Sequence, residues 1–217
     1  MLNSRSFSVA KFAIAVAAMA TVVVASNFLV QFPVSGMLGA INLADILTWG
    51  AFTYPAAFLV TDLTNRRFGP SAARFVVVVG FVIAVMLSIW LATPRIAIAS
   101  GTAFLIAQLL DVTVFDRLRR AAWWKAPIVS SVIGSIVDTV LFFSLAFAAT
   151  FSATLGFHDE FAVEVAPLFG AFALEAPRWV SWALGDFAVK ILVAVALLAP
   201  YRVVLAFLRP LPDNVAA

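Results

Sequence analysis

The sequence predicts an all-α polytopic membrane protein with about six transmembrane helices and both termini on the cytoplasmic side. Three observations predict it: an apolar composition, recurring apolar runs of about 20 residues, and a one-sided distribution of Arg and Lys. Hydrophobic residues make up 64% and charged residues 12% of the 217-residue chain, and the mean hydropathy is +1.08. Soluble domains average about 45–50% apolar and about 25% charged residues, so a soluble fold is excluded. Six spans of about 20 residues use about 120–140 residues and leave short connections, so residues 1–217 read as a single integral membrane domain.

Windows of about 19 residues place the spans near Ala10–Gln31, Leu43–Leu63, Ala72–Ala92, Pro94–Phe115, Pro127–Ala149 and Trp179–Tyr201. The first resembles a secretory signal, because Arg5 and Lys11 precede an apolar run. That run passes Val24-Ala25-Ser26 and continues to Val30, too long for a signal core, so it is expected to remain as the first helix. With six spans, Arg5, Lys11, Arg66, Arg67, Arg74, Arg117, Arg119, Arg120, Lys125, Arg202 and Arg209 share one side, eleven of the 14 basic residues. The positive-inside rule assigns that side to the cytoplasm. In the long connection Thr150–Pro177, the apolar stretch Phe161–Leu174 is too short to span. It is expected to form an interfacial or re-entrant helix, since irregular backbone exposed to lipid would leave its amides unsatisfied.

The formal charge of +3 does not point to nucleic acid, because the basic residues sit between apolar runs, where anionic lipid and topology account for them. The partner they imply is the lipid bilayer. Cysteine is absent, and the lone His158 stands in a polar loop beside Asp159 and Glu160, so no metal site is expected. The sequence contains no G-x-x-x-x-G-K-[ST], H-E-x-x-H or G-x-S-x-G, so it carries no cofactor motif and an enzyme is the weaker class.

Ionisable side chains inside a span cost at least about 2.5–3.5 kcal/mol, so the exceptions are informative. In the fourth span Ser100, Phe104, Gln108 and Asp111 fall on one helical stripe; in the fifth, Ser131, Ser135, Asp138 and Phe142; in the sixth, Trp182, Asp186 and Lys190. The second span offers Tyr54, Phe58 and Asp62, and Tyr54-Pro55 breaks its helix near mid-membrane. Polar groups alternating with aromatics on several helices describe an internal cavity. Tyr54, Phe104, Gln108, Asp138 and Lys190 fall near the midplane, where transporters tend to place their substrate. Structural roles stand beside these: Asp186 and Lys190 can neutralise each other, Asp62 can pair with Arg66 or Arg67, and Asp111 with the basic loop after it. Asp138 has no basic neighbour within a helical turn. Ser131 and Ser135, with Gly134, can also serve close helix approach.

The run Trp49-Gly-Ala-Phe-Thr-Tyr-Pro-Ala-Ala-Phe-Leu-Val-Thr-Asp-Leu-Thr-Asn-Arg-Arg-Phe-Gly69 resembles the signature of the queuosine precursor transporter family, also described as the vitamin uptake transporter family. Arg95-Ile-Ala-Ile-Ala-Ser100, the Phe104, Gln108 and Asp111 series, and Ser130-Ser-Val-Ile-Gly-Ser-Ile-Val-Asp-Thr139 with Phe142-Phe143 extend the match in order. The sequence departs from the family pattern at Arg66, where an acid is common, and at Ser135, where a longer polar side chain is common. The resemblance implies an inner-membrane importer of 7-cyano-7-deazaguanine and 7-aminomethyl-7-deazaguanine. For such a nucleobase-like ligand, Phe104, Phe142 or Tyr54 would stack on the flat ring. Asp138 or Asp111 would accept two N–H donors of its guanine-type edge, and Gln108 would read the carbonyl. Ser131, Lys190 and Asp62 complete the candidate site. A substrate-binding subunit of an ATP-driven vitamin importer and a membrane scaffold without transport activity are the alternatives. The small chain is compatible with a homodimer.

Overall fold

The computed structural model describes residues 2–156 and 158–207, with side chains from residue 9 onward. The helices are α1 (Leu2–Leu29), α2 (Gly50–Thr53), α3 (Ala56–Phe68), α4 (Pro70–Leu91), α5 (Pro94–Leu118), α6 (Lys125–Phe147), α7 (Ser152–Leu155), α8 (Glu160–Val163) and α9 (Arg178–Phe207). Two antiparallel two-stranded pairs lie outside the bundle: β1 (Met37–Leu38) with β2 (Ile41–Asn42), and β3 (Val165–Pro167) with β4 (Glu175–Pro177). Among the described residues, five helices are long and apolar enough to cross a membrane: Val9–Leu29 of α1, then α4, α5, α6 and α9. The chain is an all-α polytopic membrane protein.

Local signals set the helix ends. Gly69 adopts φ 87 between α3 and α4, a conformation that costs glycine little, and Pro70 starts α4 with φ already fixed for a helix. Thr93 caps α5, its Oγ1 accepting from the Ile96 N–H at 3.4 Å, and Pro94 takes the first helical position. Between α2 and α3, Pro55 donates nothing, and the turn closes instead through Ala57 N–H to the Tyr54 carbonyl at 3.0 Å and Phe58 N–H to the Pro55 carbonyl at 3.1 Å.

Contacts at one end show how the helices run. The Phe12 ring of α1 lies 5.8 Å from both Phe68 of α3 and Phe75 of α4. Arg66 Nε donates to the Tyr201 hydroxyl of α9 at 3.1 Å, its Nη1 donates to the Arg119 carbonyl, and Arg202 stands 4.8 Å over the Trp123 ring. The start of α1, the end of α3, the α5–α6 connection and the end of α9 therefore meet at one end, where Lys11, Arg66, Arg67, Arg74, Arg117, Arg119, Arg120, Lys125 and Arg202 collect. Side chains of Arg5 and Arg209, assigned to the same side from sequence, lie outside the described residues. The broken pair α2–α3 thus runs back antiparallel to α1 inside the bundle.

Several expectations change. The second pass is displaced toward the C-terminus: residues 43–49 hold a short 3-10 turn and loop, and the pass extends from Gly50 to Phe68. The apolarity of Leu43–Leu47 drew the sequence window upstream, whereas α3 buries Thr61, Asp62, Thr64 and Asn65 in the interior. No single helix forms over Phe161–Leu174. The segment holds α8 and the β3–β4 hairpin, because Pro167 withdraws a donor and Phe169 and Gly170 take φ 55 and 72 at the turn. Its backbone groups pair across the hairpin, and the Phe169 N–H reaches Ser181 Oγ on α9 at 2.9 Å.

The core joins Met19 and Val23 of α1, Val76 and Val77 of α4, and Phe104 and Val112 of α5 around Ala57 of α3. Small residues bring helices close, as expected where packing rather than a hydrophobic difference from lipid holds helices together. Arg95 is buried and donates from Nε to the Leu145 carbonyl at 2.8 Å and from Nη2 to the Ala148 carbonyl at 2.6 Å, covering groups that the end of α6 leaves without helical partners.

A Cβ placed on Gly50 would lie 2.9 Å from the Cα and the Cβ of Val30, against backbone that cannot rotate away. Gly50→Ala is expected to cost about 1–3 kcal/mol through overpacking. Thermal unfolding of the detergent-solubilised protein should show a lowered midpoint. Gly185→Ala, whose Cβ would meet the Leu47 side chain at an ordinary 3.4 Å, should leave the midpoint unchanged.

Candidate functional site

A cavity of about 780 Å³ opens at the end of the bundle opposite the basic residues. This lies within the about 300–1,000 Å³ of small-molecule sites. The exposed residues Gln31, Asp45 and Trp90 stand at its mouth, on the loop after α1, the segment before α2 and the end of α4. Aromatic rings form much of one wall: Phe142, Phe143 and Phe147 from α6 and Trp182 from α9, with Phe147 and Trp182 edge to face at 5.3 Å. Tyr54 enters from the break between α2 and α3.

Three charged side chains form the floor. Lys190 Nζ of α9 donates to Asp138 Oδ2 of α6 at 2.6 Å and to Asp186 Oδ2, one helical turn earlier on α9, at 2.5 Å. Its third N–H points at Thr139 Oγ1, 3.3 Å away, so all three ammonium donors are used. Thr139 Oγ1 in turn donates to Asp186 Oδ2 at 3.2 Å. Side-chain exposures of 4% for Lys190, 5% for Asp138 and 16% for Asp186 place the triad in a low-dielectric setting where its mutual attraction is strong. The ammonium also lies 5.6 Å from the centre of the Tyr54 ring, within cation–π range.

Of the residues singled out from sequence, Tyr54, Asp138, Phe142 and Lys190 line this cavity together. Phe104, Gln108, Asp111, Asp62 and Ser131 do not. Phe104 is fully buried behind Tyr54, the two rings meeting edge to face at 6.0 Å. Gln108 is sealed by packing, and its Oε1 accepts from Thr61 Oγ1 at 2.7 Å. Asp62 and Asp111 are both buried in the half of the bundle nearer the basic end. Ser130 Oγ lies 3.4 Å from Asp62 Oδ1, and Asn65 Nδ2 donates to the Val112 carbonyl at 3.0 Å. Ser131 borders a separate crevice of about 10 Å³ with Asp62 and Tyr201. These residues form a packed polar seam between the cavity and the basic end.

The ion pairing also differs from the sequence alternatives. Asp138 gains its cation from another helix, and among the described residues no salt bridge joins Asp62 to Arg66 or Asp111 to the basic loop. Sequence reasoning missed Asn27, Asp45 and Ser88 on the cavity wall. Asn27 and Ser88 were findable as polar interruptions of apolar runs, and Ser88 Oγ lies 3.4 Å from Asn27 Oδ1. Asp45 reaches the cavity because residues 30–49 fold back, with Val34 N–H bonded to the Leu47 carbonyl at 3.0 Å and Trp49 N–H to the Phe32 carbonyl at 2.9 Å.

Removing the cation leaves one buried and one part-buried carboxylate without their shared partner. Lys190→Met is expected to destabilise the protein by about 3–5 kcal/mol, the usual cost of breaking a buried pair from one side. Adding Asp138→Asn and Asp186→Asn to Lys190→Met should recover most of the loss, read as the thermal midpoint in detergent.

Comparison with known proteins agrees with this architecture. The family described as "Putative vitamin uptake transporter" matches residues 48–93 and 87–204. The chain is 34% identical over 214 residues to the "Queuosine precursor transporter" of Escherichia coli (strain K12), covering 86% of this chain and 83% of that protein. It is 41% identical over 140 residues to the "Probable queuosine precursor transporter" of Haemophilus influenzae, covering 52% of this chain and 60% of that protein. No solved structure gives a significant match. Apolar helices around a polar-floored cavity and a family match across most of the chain agree: this multi-pass inner-membrane protein belongs to the vitamin uptake transporter family.

Proposed function

We propose that this transporter imports queuosine precursors, the 7-cyano- and 7-aminomethyl-7-deazaguanine bases, and that the cavity holds the base. The names of the two relatives point to this class of cargo, and the chemistry of the cavity suits it. A purine-like base is flat, and Tyr54, Phe142 and Trp182 offer rings for stacking, each worth about 1–3 kcal/mol in other proteins. Its guanine-type edge presents adjacent N–H donors, which a carboxylate accepts in a two-pronged contact. Asp138 is the acceptor: Lys190 takes one lone pair of its Oδ2, and Oδ1 with the second lone pair of Oδ2 remain for the ligand. The observation that carries the reading is this fixed carboxylate at the floor of an aromatic-walled cavity.

The basic end faces the cytoplasm under the positive-inside rule, which puts both termini inside and makes α2–α3 the second of six membrane crossings. The cavity then opens to the periplasmic side. The packed seam of Asp62, Gln108 and Asp111 closes the inner half, as the closed side of a carrier with a midplane site requires. In this reading the bases cross by alternating exposure, and nucleotide has no part in the step.

Two measurements test this. Purified protein in liposomes should equilibrate radiolabelled 7-cyano-7-deazaguanine across the bilayer without ATP; a strict need for an added ATPase would favour an importer subunit instead. In cells lacking their own carrier, Asp138→Asn should lower uptake and binding at least about tenfold, since a hydrogen bond to a charged group is worth about 1.5–3 kcal/mol. Phe142→Ala should weaken binding by about the value of one stacking contact, whereas Ser131→Ala should leave binding at the wild-type level. An Asp138→Asn protein that binds as tightly as wild type would remove the assignment.

A further inference from the structure

The floor of the cavity carries more negative than positive charge. Among the described residues that line it, Asp45, Asp138 and Asp186 are acidic and Lys190 alone is basic. Lys190 serves Asp138 and Asp186 at once, so a single ammonium is set against two carboxylates, one buried and one part-buried. Water reaching the cavity screens part of the excess, but a ligand that fills the cavity expels that water. What replaces it decides the energy: a neutral ligand leaves a carboxylate charge uncompensated in a low dielectric, and a cationic ligand compensates it.

The position of the excess can be assigned. Both recorded hydrogen bonds of Asp186 use Oδ2, from Lys190 and Thr139, so its Oδ1 has no recorded partner. Asp186 is also the more exposed of the two acids, 16% against 5% for Asp138. Trp182 stands one turn away from Asp186 on α9 and also lines the cavity, adding a ring face that attracts cations. Asp45 at the mouth adds a third negative charge on the path inward.

We propose that the cavity selects cationic aromatic ligands, with Asp186 as the partner of the ligand's ammonium group, so that the aminomethyl base binds more tightly than the neutral cyano base. This rests on the assignment of the cavity to 7-deazaguanine bases and adds a specificity residue to it. Asp138 meets the guanine-type edge common to both bases, and Asp186 meets the substituent that distinguishes them. The two carboxylates divide recognition between the shared part of the ligand and its variable part.

The test compares equilibrium binding of three bases to the purified full-length protein in detergent at pH 7: aminomethyl, cyano, and the neutral hydroxymethyl analogue, which matches the aminomethyl group in size. The aminomethyl base should bind at least about tenfold more tightly than either neutral one, the factor that about 1.4 kcal/mol represents. Asp186→Asn should bring the three affinities close together. The hydroxymethyl or cyano base binding as tightly as the amine in wild-type protein would overturn the proposal with no need of a variant. A folded Asp186→Asn protein that kept the full preference would overturn the role of Asp186. If none of the three bases binds, the assignment of the cavity to 7-deazaguanines fails, a result distinct from equal binding by all three.

Discussion

Lys190 holds α6 and α9 together where no water-filled loop or disulfide can. In hydrocarbon every polar group must find its partner within the protein, and an unpaired charge there is among the costliest features a helix can carry. Asp138 and Asp186 are tolerable in their helices because the ammonium reaches both, and Lys190 is tolerable because all three of its donors are taken. The triad also fixes the relative rotation of the two helices, since only one rotation points both stripes at each other. The aromatic wall, built from the same two helices, inherits that orientation: Phe147 of α6 meets Trp182 of α9 on the side where Asp138 meets Lys190.

The interior divides into two tiers with different physics. In the outer tier, directly paired charges border a void large enough for a ligand. In the inner tier, Thr61, Asp62, Asn65, Gln108 and Asp111 are packed without such a void; between α3 and α5, Thr61 donates to Gln108 and Asn65 to the Val112 carbonyl, while Ser130 of α6 lies against Asp62. Phe58 of α3 anchors the seam, pressed so closely against α6 that a Cβ at Gly134 would lie 2.7 Å from its ring.

Much of this was legible in the sequence, for a definite reason. The spacing of Asp138 with Phe142, and of Trp182 with Asp186 and Lys190, put each set on one helical face, and cost alone argued that those faces look inward. What spacing within one helix does not give is which stripes meet: Asp138 and Lys190 are 52 residues apart, and only the packing of α6 on α9 joins them. Nor does a stripe reveal how much of it a cavity uses. From Ser100 to Asp111 the fourth-span stripe descends about 16 Å at about 1.5 Å per residue, and the cavity reaches only its first turn, leaving Gln108 and Asp111 below the floor. The second pass was misplaced for the opposite reason: α3 is interior and polar, so its hydropathy understates its depth. The hairpin at residues 165–177 was concealed by an apolar composition, although Pro167 and Gly170 already argued against a helix there.

The break at Tyr54-Pro55 has one more effect. In an unbroken helix the carbonyl of Ala51 would be covered by the amide hydrogen four residues later, but that residue is Pro55, which has none. Ala51 borders the cavity, so the main chain itself leaves an acceptor without its helical partner at the cavity wall. Its presence owes nothing to side-chain identity at residue 51, and exchange of that side chain for another would leave it in place. The only way to silence it is to restore an amide hydrogen at position 55, which makes a proline, the residue with least to offer chemically, the custodian of a polar feature.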